Sequence, residues 1–316
     1  MEIRQLRYFI AVVELGSLTK AAERVHVAQP ALSQQMAALE RDLGASLLVR
    51  SAQGVRPTAA GENLYRHAQT ILRQVEQAGT EIKSGHAGES GTVRIGMPAT
   101  IASMIAVPLL TRLRQQHPGI HLCLFESSGT YLTELLIQGR LEMCILFRDM
   151  QTSGVACEAL IEESLYIFGA AKVDGKQPKI QSLADLAGLP MVLPSSDQNL
   201  RILVQRSFAH AGWKLNVVAD IDSLVILASA AAAGLGYTLL PWSAITHLAP
   251  GRRSAQCIVD SGLSRKIGLC WPTSLPTSAP ALTVRLALTQ TVHELVESGR
   301  WKGARLHEIT NPMHST

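Results

Sequence analysis

The chain has 316 residues, enough for two or three domains rather than a single core. Hydrophobic residues make up 47% of it and charged residues 17%, a composition that excludes disordered and fibrous proteins. The 29 Lys and Arg against 25 Asp and Glu give a net charge of only +4, so a surface that binds nucleic acid would need a local cluster of basic residues.

Arg4, Arg7 and Glu14 interrupt the first twenty residues, so we expect no secretory leader. No apolar run approaches the roughly 18 residues that would suggest a membrane span. The cysteines are odd in number and lack CxxC spacing: Cys123, Cys144, Cys157, Cys257 and Cys270. We therefore expect buried free thiols and a cytoplasmic protein.

Residues 1–58 are expected to form short helices followed by a hairpin. The first helix is predicted by an apolar set at i, i+3, i+4 and i+7: Leu6, Phe9, Ile10 and Val13. Gly16 ends it, and Ser17 caps a short second helix. A third helix begins at Gln29-Pro30 and ends at Gly44, with a buried stripe of Leu32, Met36, Leu39 and Leu43. Residues 47–50 and 54–56 are predicted to form the two strands of a wing.

The other face of the third helix carries small or amide side chains, namely Gln29, Ser33, Gln34 and Ala37. Such a face fits the major groove, where Gln can pair in bidentate fashion with adenine. A short capped helix at a tight turn before it is helix-turn-helix geometry, which favours DNA binding. A plain small helical bundle is the alternative.

Thr58 is predicted to cap a long linker helix, which with a Gly-rich hinge occupies residues 59–90. Its apolar positions are spaced 4, 3, 4, 3, 4: Leu64, Ala68, Ile71, Val75, Ala78 and Ile82. This spacing indicates a seam that pairs with a second copy of the helix. An ordinary amphipathic helix packed on its own domain is the alternative.

From residue 91 the pattern becomes alternating strands and helices, which predicts a largely parallel sheet covered on both faces. Strands are predicted at 92–97, 120–126, 143–147, 165–171, 190–193, 215–221, 236–240 and 266–271. Helices are predicted at 101–116, 130–138, 200–211, 224–233 and 281–297. We expect one lobe at about 91–161 and 266–303, another at about 162–265, a ligand cleft between them, and a flexible tail at 304–316.

Several motifs together resemble the LysR-type transcriptional regulators over about residues 1–300. They include Leu6-Arg7-Tyr8-Phe9, Gly16-Ser17-Leu18-Thr19-Lys20-Ala21-Ala22, Gln29-Pro30-Ala31-Leu32-Ser33-Gln34-Gln35, Leu47-Leu48-Val49-Arg50, Pro57-Thr58-Ala59-Ala60-Gly61 and Ala233-Gly234-Leu235-Gly236. The resemblance implies an α/β chain with an all-α-type winged helix-turn-helix N-terminal domain, a long linker helix and a two-lobed, periplasmic-binding-protein-like effector domain. Stretches such as Glu126-Ser127-Ser128-Gly129 resemble a subgroup concerned with nitrogen control.

Carried over by residue, the family's DNA-contacting positions fall on Thr19, Gln29, Pro30, Ser33, Gln34, Arg50 and Arg56. Many members have Arg where this chain has Gln34, which puts the half-site sequence in doubt. The effector-binding positions fall on Pro98, Ala99, Thr100, Ser127, Ser128, Gly129, Thr130, Pro194, Ser195, Ser196 and Ser223. Hydroxyls and amides at helix N-termini suit a small anion, although simple helix capping explains them as well, and some relatives act without an effector.

The implied partners are promoter DNA, further copies of the chain as a dimer or tetramer, RNA polymerase and a small effector, with no membrane, cofactor or metal. Enzyme chemistry is not favoured: His117 and His121 are separated by Pro118-Gly119, and no G-x-S-x-G or P-loop motif is present. A solute-binding module without DNA binding is the alternative. Activation and repression are not distinguished.

Overall fold

The computed structural model describes residues 1–51, 54–84, 90–147, 152–170, 178–246, 257–273 and 277–307. It begins with α1 (Ile3–Leu15), α2 (Leu18–Arg24) and α3 (Gln29–Leu43), followed by the antiparallel hairpin of β1 (Leu48–Ser51) and β2 (Gly54–Pro57). Phe9, Val12, Leu32, Met36 and Leu39 form the centre of their shared core. This is the predicted winged helix-turn-helix.

The linker helix α4 (Ala59–Ser84) begins against the wing. Thr58 caps it as predicted, because its Oγ1 accepts a hydrogen bond from the Gly61 amide at 3.0 Å, and the same hydroxyl donates to the Ser46 carbonyl at 2.7 Å. The approach is so close that a Cβ at Gly61 would lie 2.1 Å from the Leu47 carbonyl oxygen. Glycine is therefore required at Gly61 to bring the linker against the wing.

The first lobe consists of β3 (Gly91–Met97), α5 (Ala99–Gln116), β4 (Ile120–Glu126), α6 (Gly129–Ile137) and β5 (Met143–Phe147), closed by α10 (Ala279–Glu297). Strand β3 pairs in parallel with both β4 and β5. The second lobe contains a 3-10 turn (Leu183–Leu186), β7 (Pro190–Leu193), α7 (Asn199–Ala211), β8 (Asn216–Asp220), α8 (Leu224–Ala232), β9 (Thr238–Pro241) and α9 (Trp242–Thr246). Each lobe has its own buried core.

Two long antiparallel strands join the lobes: β6 (Val155–Gly169) and β10 (Cys257–Pro272). They lie side by side in a seven-stranded sheet of order β11-β6-β10-β5-β3-β4, in which β11 is Ala304–Leu306 and β9 pairs with the second-lobe end of β6. Only part of each was predicted, at 165–171 and 266–271. The remainder of β6 carries Glu158, Glu162 and Glu163 among its apolar residues, which obscures the strand pattern.

Three expectations are wrong. The main sheet is not largely parallel: β3 pairs in parallel with β4 and β5, but β6 and β10 pair antiparallel with all their neighbours, because they run between the lobes in opposite directions. Cys157 and Cys270 form a disulfide rather than two free thiols, because the register of β6 and β10 places them directly opposite one another. The predicted flexible tail is wrong for β11 (Ala304–Leu306), which pairs with β6 beside the buried Trp301. Residues 308–316 of that tail lie outside the described residues.

Candidate nucleic-acid interface and interlobe cavity

Helix α3 has one buried and one exposed face. Leu32, Met36 and Leu39 are at most 1% exposed. The opposite face carries Gln29, Pro30, Ala31, Gln34 and Ala37, all of which are exposed. The predicted inclusion of Leu43 in the buried stripe is wrong: this last residue of the helix is 41% exposed, one turn beyond the covering core. The polar face is therefore available to a duplex.

A tight turn sets the angle between α2 and α3. His26 adopts the left-handed conformation at φ 55°, and the Val27 amide donates to the Ala22 carbonyl at 3.0 Å. Thr19 and Lys20 are exposed at the start of α2, where Ser17 accepts a hydrogen bond from the Lys20 amide. Lys20 was not among the predicted contacts, although it directly follows Thr19. It supplies a cation next to the predicted interface.

The wing is fastened to the recognition helix by side chains. Glu40 Oε1 accepts hydrogen bonds from the Leu47 and Leu48 amides at 2.8 and 3.1 Å. Arg50 Nη1 donates to Ser33 Oγ at 3.0 Å, so these two predicted contacts meet. Ser33 is half-buried, and Arg56 is exposed on β2. Sequence reasoning missed Glu40, whose role depends on how the chain turns back after α3 and brings the start of the wing against the helix.

Only part of the predicted linker seam faces outward. Leu64 is half-buried and Ala68 is fully buried, because α4 packs on the N-terminal domain of the same chain. Burial and the nearby Glu14 carboxylate raise the pKa of Tyr65 on this helix to about 12. Val75 and Ala78 are exposed and Ile71 is half-buried, whereas the side chain of Ile82 lies outside the described residues.

A cavity of about 660 Å³ lies between the lobes. It is lined by nine of the eleven predicted effector residues: Pro98, Ala99, Thr100, Ser127, Ser128, Gly129, Thr130, Pro194 and Ser223. Ser195 and Ser196 are not among the lining residues. Ser195 instead donates from both its amide and its hydroxyl to the Asp222 carboxylate, each at 2.8 Å.

Helices α5, α6, α7 and α8 all begin at this cavity. The capping alternative holds for two of the predicted hydroxyls, because Ser128 and Ser223 accept hydrogen bonds from the amides of Tyr131 and Ile226. Four positive helix ends still converge on one space. Ser128 and Ser223 therefore cap their helices, and the N-termini of the same helices also line the cavity.

Arg265, which the sequence did not reveal, forms part of the cavity wall. Its guanidinium binds Glu163 Oε2 at 2.7 and 2.9 Å and Thr100 Oγ1 at 2.8 Å, and it lies 4.5 Å from the Phe147 ring centroid. Glu163 is fully buried, and its Oε1 accepts hydrogen bonds from Trp301 Nε1 and Ser243 Oγ. The charge of Arg265 is therefore balanced within the protein, and its hydrogen bonds connect β10 with β6 and α5.

Further lining residues were also missed, because they are brought together only by the fold. Two are acidic, Glu126 and Asp222. Polar Ser103, Gln198 and Asn199 contribute as well. Most of the others are apolar: Phe147, Leu200, Leu203, Leu224, Val225, Leu227, Ala228, Leu240, Pro241 and Ala244. The space suits a small molecule with a substantial apolar part.

Two family models match the chain. Residues 3–62 match the bacterial regulatory helix-turn-helix protein of the lysR family, and residues 86–293 match the LysR substrate binding domain. With the exposed recognition helix and the two-lobed cavity, these matches place the chain in the LysR family of transcription regulators. It has a DNA-binding domain and an effector-binding domain, and the alternative of a solute-binding module without DNA binding is not supported.

Within the family, the chain is 38% identical to the nitrogen assimilation regulatory protein nac of Escherichia coli over 299 residues, 94% of this chain and 95% of that protein. The predicted nitrogen-control likeness is thus confirmed as a similarity. Among solved structures, a full-length OxyR variant from Pseudomonas aeruginosa is 24% identical at a TM-score of 0.71, over 98% of this chain and 99% of that one. The structure of full-length CbnR complexed with its target DNA is 24% identical at a TM-score of 0.66, over 93% of this chain and 99% of that one.

The described residues contain no helix that is long and apolar enough to cross a membrane. Over the same residues, no group of three His, Cys, Asp or Glu side chains could hold a metal ion.

Proposed function

We propose that the exposed face of α3 reads promoter base pairs while the wing and the start of α2 bind the flanking phosphates. Gln29 and Gln34 are the base-reading amides, supported by their exposure at the start of a protruding helix. Thr19, Pro30, Arg50 and Arg56 bind the backbone, together with Lys20. Ser33 orients Arg50 through their 3.0 Å hydrogen bond. The observation that carries this proposal is the division of α3 into a sealed apolar face and an open amide face.

The chain acts as a cytoplasmic oligomer that catalyses no reaction, with domains at 1–58, 59–90 and 91–306, the last of which includes β11. The exposed Val75 and Ala78 support pairing along the far half of α4, with Ile71 at its edge. Two paired chains place their recognition helices on one side of the duplex, so the operator is a pseudo-palindrome with half-sites about one turn apart. We further propose a tetramer that contacts RNA polymerase, as the family resemblance implies. The similarity to the nitrogen assimilation regulatory protein nac supports a role in nitrogen-related metabolism.

The interlobe cavity binds a small effector with one acidic group and an apolar body. Four helix N-termini support the acidic group, and the many aliphatic side chains in the wall support the apolar body. A polyanion is disfavoured, because Arg265 is already paired with Glu163 and two carboxylates line the space. Binding between the lobes changes their closure and thereby the arrangement of the paired DNA-binding domains.

DNA binding is tested by fluorescence anisotropy of the full chain on a labelled fragment of its own promoter region. Gln34→Ala is expected to weaken specific binding about 10-fold, since a bidentate base contact contributes about 1–3 kcal/mol of discrimination. Gln115→Ala makes the same chemical change at an exposed site on α5 and should leave binding unaltered. Equal effects of both variants, or no binding to any sequence, would refute the proposal.

The cavity is tested with a panel of monocarboxylic acids by isothermal titration. Ser103→Trp fills the space from an exposed lining position, whereas Gln115→Trp places the same bulk at the far end of α5. Only the Ser103 variant should lose binding of an acid that the wild-type chain takes up. Binding retained in the Ser103 variant would show that the acid binds outside the interlobe cavity.

A further inference from the structure

Three cysteines lie side by side in the first lobe. The strand registers place Cys157 of β6 opposite Cys270 of β10, and Cys270 opposite Cys144 of β5. Cys157 and Cys270 are disulfide-bonded, with their Cα atoms 4.1 Å apart, whereas Cys144 is a free thiol. All three pack in one cluster with leucines of α6. Cys270 therefore has a cysteine neighbour on each side but is bonded to only one.

The surroundings of the three sulfur-bearing side chains differ. Cys144 and Cys270 are fully buried, whereas Cys157 is partly exposed. Burial raises the pKa of the Cys144 thiol to about 12, which keeps it protonated and a poor nucleophile. Of the three, Cys157 is the residue that a reagent in solution can reach.

We propose that Cys157 and Cys270 form a reversible dithiol–disulfide site, in which Cys157 is the cysteine that reacts with redox partners in solution and Cys270 is its resolving partner. The redox partners are a hydroperoxide in the oxidising direction and a small dithiol in the reducing direction. A protein that works on DNA resides where thiols are kept reduced, and disulfides in such compartments are mostly transient and redox-active. The argument from the compartment rests on the proposed function, whereas the strand register and the difference in exposure between Cys157 and Cys270 are independent of it.

In the oxidising direction, the Cys157 thiolate attacks a peroxide oxygen. An S–O bond forms, the O–O bond breaks, and the departing alkoxide takes a proton to leave as alcohol, or as water from hydrogen peroxide. The Cys270 sulfur then attacks the Cys157 sulfenic sulfur, and hydroxide leaves with the Cys270 proton as water. Two electrons pass from the two thiols to the peroxide.

In the reducing direction, one thiolate of the dithiol attacks the accessible Cys157 sulfur. Cys270 leaves as a thiolate and is protonated. The second thiol of the reagent then displaces Cys157, which leaves the reagent as a disulfide and the protein with two thiols. Attack at the buried Cys270 or at Cys144 is not required.

The bond lies beneath a helix that reaches the effector cavity. Leu132, Leu135 and Leu136 of α6 pack in the cysteine cluster, and Ser128 and Gly129 at the beginning of the same helix line the cavity. Because tightly packed interiors respond to small changes, breaking the bond alters the support of α6. The redox state is thereby transmitted to the effector cavity.

The test begins with the full chain purified in reductant, exchanged into anaerobic buffer, and treated with one equivalent of hydrogen peroxide. Non-reducing peptide mass spectrometry should detect a Cys157–Cys270 linked pair, which a dithiol then removes from the folded protein. Cys144→Ala and Cys123→Ser, which change free cysteines, should preserve both steps. Cys270→Ser should leave Cys157 as a sulfenic acid that dimedone traps.

Failure of the linked pair to form, or its resistance to a dithiol in the folded protein, would overturn the proposal. Pairing of Cys144 with Cys270 would do the same. Amide hydrogen exchange of α6 in the two redox states tests the coupling, with exchange expected to be at least several-fold faster in the reduced wild-type chain. Equal exchange would refute the coupling. Anisotropy with promoter DNA, run in parallel, reports separately on the proposed function.

Discussion

One carboxylate determines how firmly the wing is held against the recognition helix. Glu40 accepts hydrogen bonds from two successive wing amides, those of Leu47 and Leu48. A hydrogen bond to a charged group contributes about 1.5–3 kcal/mol, and because Glu40 is half-buried we take the lower value for each. Glu40→Ala should therefore lower the local stability of the wing by about 3 kcal/mol.

This loss converts to a measurable exchange rate. Since 1.36 kcal/mol corresponds to a tenfold change, the Leu47 and Leu48 amides should exchange with solvent about 100-fold faster in Glu40→Ala, as followed by hydrogen-exchange mass spectrometry of a peptide spanning 45–51. DNA affinity should fall as well, because the wing carries Arg50. Glu40→Gln keeps a carbonyl oxygen as an acceptor and should show a clearly smaller increase.

Two results would refute this reasoning. Unchanged exchange in Glu40→Ala would mean that the backbone pairing of β1 with β2 alone holds the wing. Equal effects of the Ala and Gln variants would show that the acceptor oxygen contributes nothing. A uniform rise in exchange across α1 and α3 would instead indicate loss of the whole domain fold, and the prediction of a local effect would then be wrong.

Three further changes test other parts of the account. Ser33→Glu should abolish promoter binding in a gel shift without altering the circular dichroism spectrum, because it places a negative charge at the DNA-facing surface and beside Arg50, which would then pair with Glu instead of a phosphate. Unchanged affinity would show that DNA is bound by another surface. Val75→Asp combined with Ala78→Asp should reduce the sedimenting mass, and a persistent oligomer would show that these residues lie outside the interface. Gly61→Ala should destabilise the N-terminal domain by about 1–3 kcal/mol, as measured by chemical denaturation, because the added Cβ clashes with Leu47 at the start of the wing. Gly79→Ala has open space around it and should not destabilise the domain. Equal stability of the two variants would contradict the close approach of α4 to the wing.

Local patterns were sufficient to predict the N-terminal domain. The stripe from Leu32 to Leu39, the cap at Thr58 and the end of α3 at Gly44, φ 63°, are each determined by residues close in the sequence. The short strands of the first lobe were found for the same reason, since 120–126 and 143–147 match β4 and β5 at both ends.

Features that depend on distant contacts were not predictable from the sequence. Ala68 looked like a position for pairing with another chain, but it is buried within its own, because periodicity does not identify the surface that covers a stripe. The disulfide depends on strand register between residues 113 apart. Arg265 reaches the cavity wall only because β10 returns to the first lobe beside Glu163 and Thr100.

The most direct test of the central claim is a base-by-base affinity profile of one operator half-site, measured for the wild-type chain and for Gln34→Ala. If the amide face of α3 contacts base edges, the variant should lose its preference at one base pair and keep it at the others, with an unchanged dependence on salt concentration. A uniform loss of affinity at every position, with the wild-type order of base preferences retained, would show that this face does not read the sequence.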